Sequence, residues 1–219
     1  MCPRVPAEHV VLTCGFAACT SNPTHISYHE EHTVKARIQF VSTAFWLEEI
    51  RHAISGLVEA GGRKSRLTGP KKVAWHRITA VYPQLRFNAD KVQGMTAEDI
   101  LASNTSVIAK LDTTVEFEAS SADFYDILGS HYYGERGSSE TWPIIVQISI
   151  LCNAAVLKQG ITFVDLPGPS ARNAARGAVA SAWYKKCDHI FVVAPIQRAV
   201  SMHCVRGGVY LDTFNLGSN

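Results

Sequence analysis

The chain has 219 residues, 47% of them hydrophobic and 18% charged, which suits a single domain with a packed core and excludes a disordered chain. A net charge of +2 gives no argument for nucleic acid or an anionic membrane as partner, and six cysteines without a C-x-x-C pair form neither a disulfide framework nor a zinc cluster. The first residues lack an apolar signal region and no apolar run nears the roughly 20 residues of a transmembrane helix, so the expectation is an intracellular protein, cytoplasmic or nuclear, with reduced thiols.

Taken in order, Val10 to Thr13 is a short apolar run that suits a strand, and Cys19-Thr20-Ser21-Asn22-Pro23 is a polar turn. His25, His29 and His32 lie close together without an acid and nucleophile to match, and read as a solvated loop. Val34 to Val41 alternates as a strand with one wet face. Ser42 or Thr43 can cap a helix whose apolar positions Phe45, Trp46, Ile50, Ile54 and Leu57 run up to Gly61-Gly62. Gly61 to Lys72, with the basic run Arg63-Lys64-Ser65-Arg66 and Lys71-Lys72, reads as a solvated loop. A helix over Val73 to Tyr82 stops near Pro83. Thr96, followed by Glu98 and Asp99, caps another helix. Thr114 to Phe117 is a weak strand, Ser121 to Leu128 a helix and Gly134 to Ser139 a loop.

The second half changes character. Pro143 to Leu151 and Gly160 to Val164 are apolar strands, Asn173 to Tyr184 is an alanine-rich helix, and His189 to Ala194 is a third apolar strand. Strand, helix and strand with continuous apolar runs predict an α/β protein whose sheet is mostly parallel and covered on both faces.

Asp165 is the leading candidate for chemistry. It ends an apolar strand and is followed at once by Leu166-Pro167-Gly168. A carboxylate at a sheet's carboxyl edge can hold magnesium through water, and a glycine N–H beside it can meet a terminal phosphate. The competing reading is an aspartate that caps a turn. Thr20 is the second candidate, since a loop threonine can offer its hydroxyl to magnesium and its carbonyl to an attacking water; a plain surface turn is the alternative. No G-x-S-x-G elbow supports a serine hydrolase. Trp46, Trp75, Trp142 and Trp183 suit core or interface positions.

The stretch Gly160-Ile161-Thr162-Phe163-Val164-Asp165-Leu166-Pro167-Gly168, then Asn173-Ala174-Ala175-Arg176 and Tyr184-Lys185-Lys186-Cys187-Asp188-His189-Ile190-Phe191-Val192-Val193-Ala194, resembles fungal dynamin-like large GTPases and is similar to nuclear GTPases of the dynamin superfamily. Ala18-Cys19-Thr20-Ser21 with Ile26-Ser27-Tyr28 resembles that family's switch I region. The resemblance implies a P-loop NTPase-like domain over residues 16–200, with a helical insertion over about 43–130, an ill-defined segment 1–15 and a divergent tail 201–219. It implies GTP and magnesium as cofactors, with Thr20 and Asp165 at the metal, Thr20 in catalysis and Gly168 at the γ-phosphate. Self-association enters as a further implied partner.

The sequence also departs from that family. It contains no G-x-x-x-x-G-K-[ST], and no lysine stands before Thr20. No [NT]-K-x-D motif to read guanine follows Val200. The expectation is a truncated, incomplete G domain with impaired activity. Val10 to Thr13 is expected to fill the slot of the missing strand, and a non-catalytic interaction module with a G-domain shell is the alternative function.

Overall fold

The computed structural model describes residues 22–86, 92, 94–132, 140–167, 182–184 and 186–191. Five strands form one sheet: β1 (Thr24–Tyr28), β2 (Val34–Phe40), β3 (Thr114–Ala119), β4 (Ile145–Cys152) and β5 (Phe163–Asp165). Their order is β3-β2-β4-β1-β5. The helices are α1 (Thr43–Glu59), α2 (Gly69–Val81), α3 (Ala97–Ala102), α4 (Thr105–Ile108) and α5 (Phe124–Tyr132).

Alternation on β2 decides which face is dry. Val34, Ala36, Ile38 and Phe40 are buried, while Lys35, Arg37 and Gln39 point the other way. On β4, Ile148, Ile150 and Cys152 continue the same apolar surface. Trp46, Ile50, Ala53 and Leu57 of α1 close the core, at the helical spacing the sequence predicts. Ser42 caps α1, its hydroxyl accepting from the Phe45 N–H at 3.2 Å. The Asp112 carboxylate adds bonds from the Thr43 N–H and hydroxyl.

Helix α2 is held to α1 by burial and by one cation. The indole of Trp46 donates to the Tyr82 hydroxyl at 3.2 Å in the interior. Arg77 pairs with Glu49 at 2.7 Å and donates to the Pro143 carbonyl at 2.7 Å, so a single guanidinium ties α2 to α1 and to the entry of β4. Its charge lies over the rings of Phe45 and Trp46.

Helices flanking a sheet make this an α/β fold, as the sequence predicts, but the sheet is mixed. Among the described strands only β1 and β4 pair in parallel; β1–β5, β2–β3 and β2–β4 are antiparallel. Connection length accounts for β2–β4 and β1–β5 once β1 and β4 run parallel, but not for β2–β3, whose connection is long and carries helices. A parallel return needs a crossover of about a dozen residues or more, usually a helix. Residues 29–33 and 153–162 are too short for one, so the chain doubles back.

Several local expectations shift. The run 160–164 is not a fully buried strand: only Phe163–Asp165 pairs, at the sheet's edge, and Ile161 and Phe163 are exposed. Residues 189–191 lie outside the sheet, with Ile190 and Phe191 exposed. The basic loop contains a 3-10 turn at Lys64–Arg66, and α2 begins at Gly69, ahead of the apolar run, because Pro70 suits a helix's first turn. Helix α5 runs from Phe124, three residues later than expected, after a turn in which the Ser120 hydroxyl accepts from the Asp123 N–H and the Ser120 carbonyl accepts from the Phe124 N–H. Val10 to Thr13, Gly134 to Ser139 and most of Asn173 to Tyr184 fall outside the described residues.

Candidate functional site

Asp165 closes β5 opposite Thr24, the first residue of β1. It is half-buried, whereas Thr24 is buried. Since β5 runs antiparallel to β1, the carboxyl end of β5 coincides with the amino end of β1 and the start of β4. The expected parallel carboxyl edge is therefore not the setting: Asp165 sits where two neighbouring strands begin.

Four hydrogen bonds fix that end of the sheet. The Asn22 amide donates to the carbonyls of Trp142 at 2.9 Å and Ile145 at 2.8 Å. The Ile148 N–H donates to the Pro23 carbonyl at 3.1 Å. The Thr24 hydroxyl donates to the Asn22 carbonyl at 3.3 Å. Asn22 thus pins the chain's entry into β1 against the 3-10 turn that leads into β4. Its side-chain oxygen is buried and finds no partner among the described residues. Asn22-Pro23 carries only a turn signal in the sequence, which does not foretell the burial of this asparagine.

The opposite face of β1 carries His25, a correction to the solvated-loop reading of the three histidines. Its ring meets Trp183 edge-on with centroids 4.7 Å apart, and its Nδ1 lies 3.4 Å from the Gln147 amide nitrogen. Nε2 is buried without a hydrogen-bond partner among the described residues. Burial, reinforced by the Lys186 charge, lowers the pKa of His25, so the ring is neutral near pH 7. Lys186 also lies 4.3 Å from the Trp183 ring centroid.

Of the three residues the sequence singles out, the structure describes Asp165; Thr20 and Gly168 fall outside the described residues. Among the described residues no group of three or more His, Cys, Asp or Glu side chains is gathered to enclose a metal. One carboxylate is nonetheless a donor set that fits magnesium, which keeps several waters and takes only one or two protein oxygens. No helix among the described residues is long and apolar enough to cross a membrane.

Comparison with known proteins finds similarity to nuclear GTPases, as the motif resemblance implies. The human nuclear GTPase SLIP-GC is 23% identical over 198 residues, which cover 84% of this chain and 24% of that protein. The mouse protein of the same name is 32% identical over 66 residues, covering 30% of this chain and 8% of the relative. The chain therefore spans at most about a quarter of the length of the curated relatives it matches. A solved structure of an oligomerised bacterial dynamin pair, described as sensing and tethering membranes over long range, aligns over 83% of this chain and 20% of its own, with 15% identity and a TM-score of 0.39. No protein-family model matches.

Proposed function

We propose that the chain is part of a dynamin-like G domain of fungal type over residues 16–200, with its helical insertion at about 43–130, a short segment 1–15 before it and a divergent tail at 201–219. In this reading GTP and magnesium are the ligands. Asp165 takes the metal through water, Thr20 offers it a hydroxyl and orients the attacking water, and Gly168 donates its N–H to the γ-phosphate. The pairing of Thr24 with Asp165 carries the reading. Thr20 stands four residues before Thr24, a reach of about 14 Å at most, and Gly168 stands three after Asp165. The described residues that border both motif segments thus pair at one end of the sheet. Similarity to a nuclear GTPase over 84% of the chain supports the same reading and an intracellular setting, cytoplasmic or nuclear.

The missing phosphate loop sets the affinity. Such a loop supplies a row of N–H donors, a helix N-terminus and a lysine. Each charge-assisted hydrogen bond is worth about 1.5–3 kcal/mol, while micromolar binding amounts to about 8 kcal/mol in all. The 219 residues alone are therefore expected to show no micromolar affinity for a GTP analogue with magnesium in calorimetric titration. A transcript that adds G-x-x-x-x-G-K-[ST] in frame upstream should bind, and Asp165→Asn in that longer protein should weaken magnesium-dependent binding by about tenfold, or about 1.4 kcal/mol. Retained affinity in that variant would remove Asp165 from the site.

A second reading, a non-catalytic interaction module that self-associates, is favoured by exposed apolar side chains on and before β5 and at residues 190–191. Phe191 is 80% exposed, and Ile190 beside it in sequence, Phe163 on β5 and Ile161 two residues before that strand are exposed to lesser degrees. Sedimentation should show reversible association at micromolar concentrations that Phe191→Asp suppresses. A chain that stays monomeric across that range, with or without the substitution, rejects this reading.

A further inference from the structure

Between positions 60 and 89 the sequence holds seven lysines and arginines and no aspartate or glutamate, although the whole chain is nearly balanced at 21 against 19. Two of the seven are neutralised from outside the stretch: Lys71 pairs with Glu59 and Arg77 with Glu49. Lys64, Lys72 and Arg86 have no carboxylate within ion-pair reach among the described residues. These three converge, with His76, on a cleft of about 540 Å³ beside α2, a size usual for small-molecule sites. The one acid among its described lining residues, Glu140, accepts a 2.6 Å bond from the Trp142 indole.

The cationic groups are partly held in place. The Arg86 Nε donates to the Thr79 carbonyl at 2.9 Å, which orients the guanidinium plane and leaves its two terminal nitrogens for a forked contact. The Lys64 ammonium donates to the Arg86 carbonyl, joining the 3-10 turn at 64–66 to the segment after α2. The field is felt by His76, whose pKa is lowered by burial and then by the charges of Lys72 and Arg86. Three like charges facing one concavity repel each other, and an anion with several oxygens relieves that repulsion.

We propose that this cleft binds a phosphate-bearing anion, with Lys72 and Arg86 contacting its oxygens, Lys64 adding charge and His76 a ring N–H. Phosphate chemistry is common to a soluble polyphosphate and a lipid headgroup, so the test has two arms. The 219-residue chain is titrated calorimetrically with inorganic pyrophosphate at low salt. It is also sedimented with phosphatidylcholine vesicles that carry or lack phosphatidylinositol bisphosphate. The expected result is binding to at least one probe, weakened tenfold or more in Lys72→Gln/Arg86→Gln and by a smaller factor in Lys72→Gln alone. Lys72 is exposed, so the single variant guards against a folding defect. Lys158→Gln, which removes one charge outside the cleft, and Asp165→Asn, which removes the carboxylate of the proposed nucleotide site, should leave affinity unchanged. Binding to vesicles alone assigns a lipid headgroup, and binding to pyrophosphate alone assigns a soluble ligand. Failure of both probes, or equal weakening by Lys158→Gln or Asp165→Asn, overturns the proposal.

Discussion

At Gly56 the absence of a side chain decides how close α1 and α2 come. A Cβ placed there would lie 2.8 Å from the Lys71 Cβ and 3.1 Å from its Cγ. Those atoms are the rooted part of the lysine stem, so the clash cannot be relieved by swinging the ammonium away. Two effects compete in Gly56→Ala. Alanine favours a helix interior by about 0.5–1 kcal/mol, while overpacking a tight contact costs about 1–3 kcal/mol. The steric term is larger, and the helices must separate to absorb it. Urea unfolding is expected to show a net loss of about 1–2 kcal/mol, and an increase in stability would mean that α2 shifts freely. Asp165 differs in kind: its identity was legible from the residues around it, its surroundings were not. The same tripeptide after an apolar run serves a parallel or an antiparallel strand, and only the pairing with Thr24 distinguishes them.

At the scale of elements, legibility followed the amount of local signal. Strand β2 was readable because its alternation survives in the burial of Val34, Ala36, Ile38 and Phe40. Helix α1 was readable from spacing and cap together, and α3 from a capping box in which the Asp99 N–H donates to the Thr96 hydroxyl while the Thr96 N–H donates to the Asp99 carboxylate. Strand β1 was not, because Thr-His-Ile-Ser-Tyr has one strongly apolar member and owes its place to long-range pairing with β4 and β5. Strand β5 failed in the opposite sense: its apolar run is continuous although it lies at an exposed edge. Composition reported potential partners for Ile161 and Phe163, not partners present among the described residues. The cleft was hidden for a related reason. Lys64, Lys72 and Arg86 are separated in sequence by a turn and a helix, and only the folding of α2 back toward the 3-10 turn at Pro83–Arg86 assembles them.

Across the whole molecule, three histidines on different elements share one electrostatic condition, and this predicts the acid response of the fold. His25 on β1, His76 on α2 and His131 on α5 all have lowered pKa values, first because each is partly buried and then because Lys186, Lys72 with Arg86, and Lys110 respectively lie nearby. The folded state thus binds these protons less readily than the unfolded chain, whose histidines titrate near 6.5. Between the two values the unfolded state holds more protons, so stability rises with pH there and falls as pH drops. The full contribution is present above about pH 6.5 and is lost as the solution is acidified through and below it. A second, separate window belongs to Asp112 and Asp99, whose carboxyls are held below their ordinary 3.8 by hydrogen bonds from Thr43 and Thr96; their contribution is lost only as pH falls through that more acidic range. Urea midpoints measured from pH 8 to pH 5 should therefore decline mainly below about 6.5, well before the carboxylates titrate. Replacing His25, His76 and His131 with glutamine should flatten that upper part of the profile and leave the acidic part in place. Pyrophosphate at saturating concentration should reduce the share that His76 contributes, since an anion in the cleft offsets the Lys72 and Arg86 charges that help hold its ring neutral. A wild-type midpoint that stays constant between pH 7.5 and 5.5 would show that the three rings charge in the folded state as easily as in water.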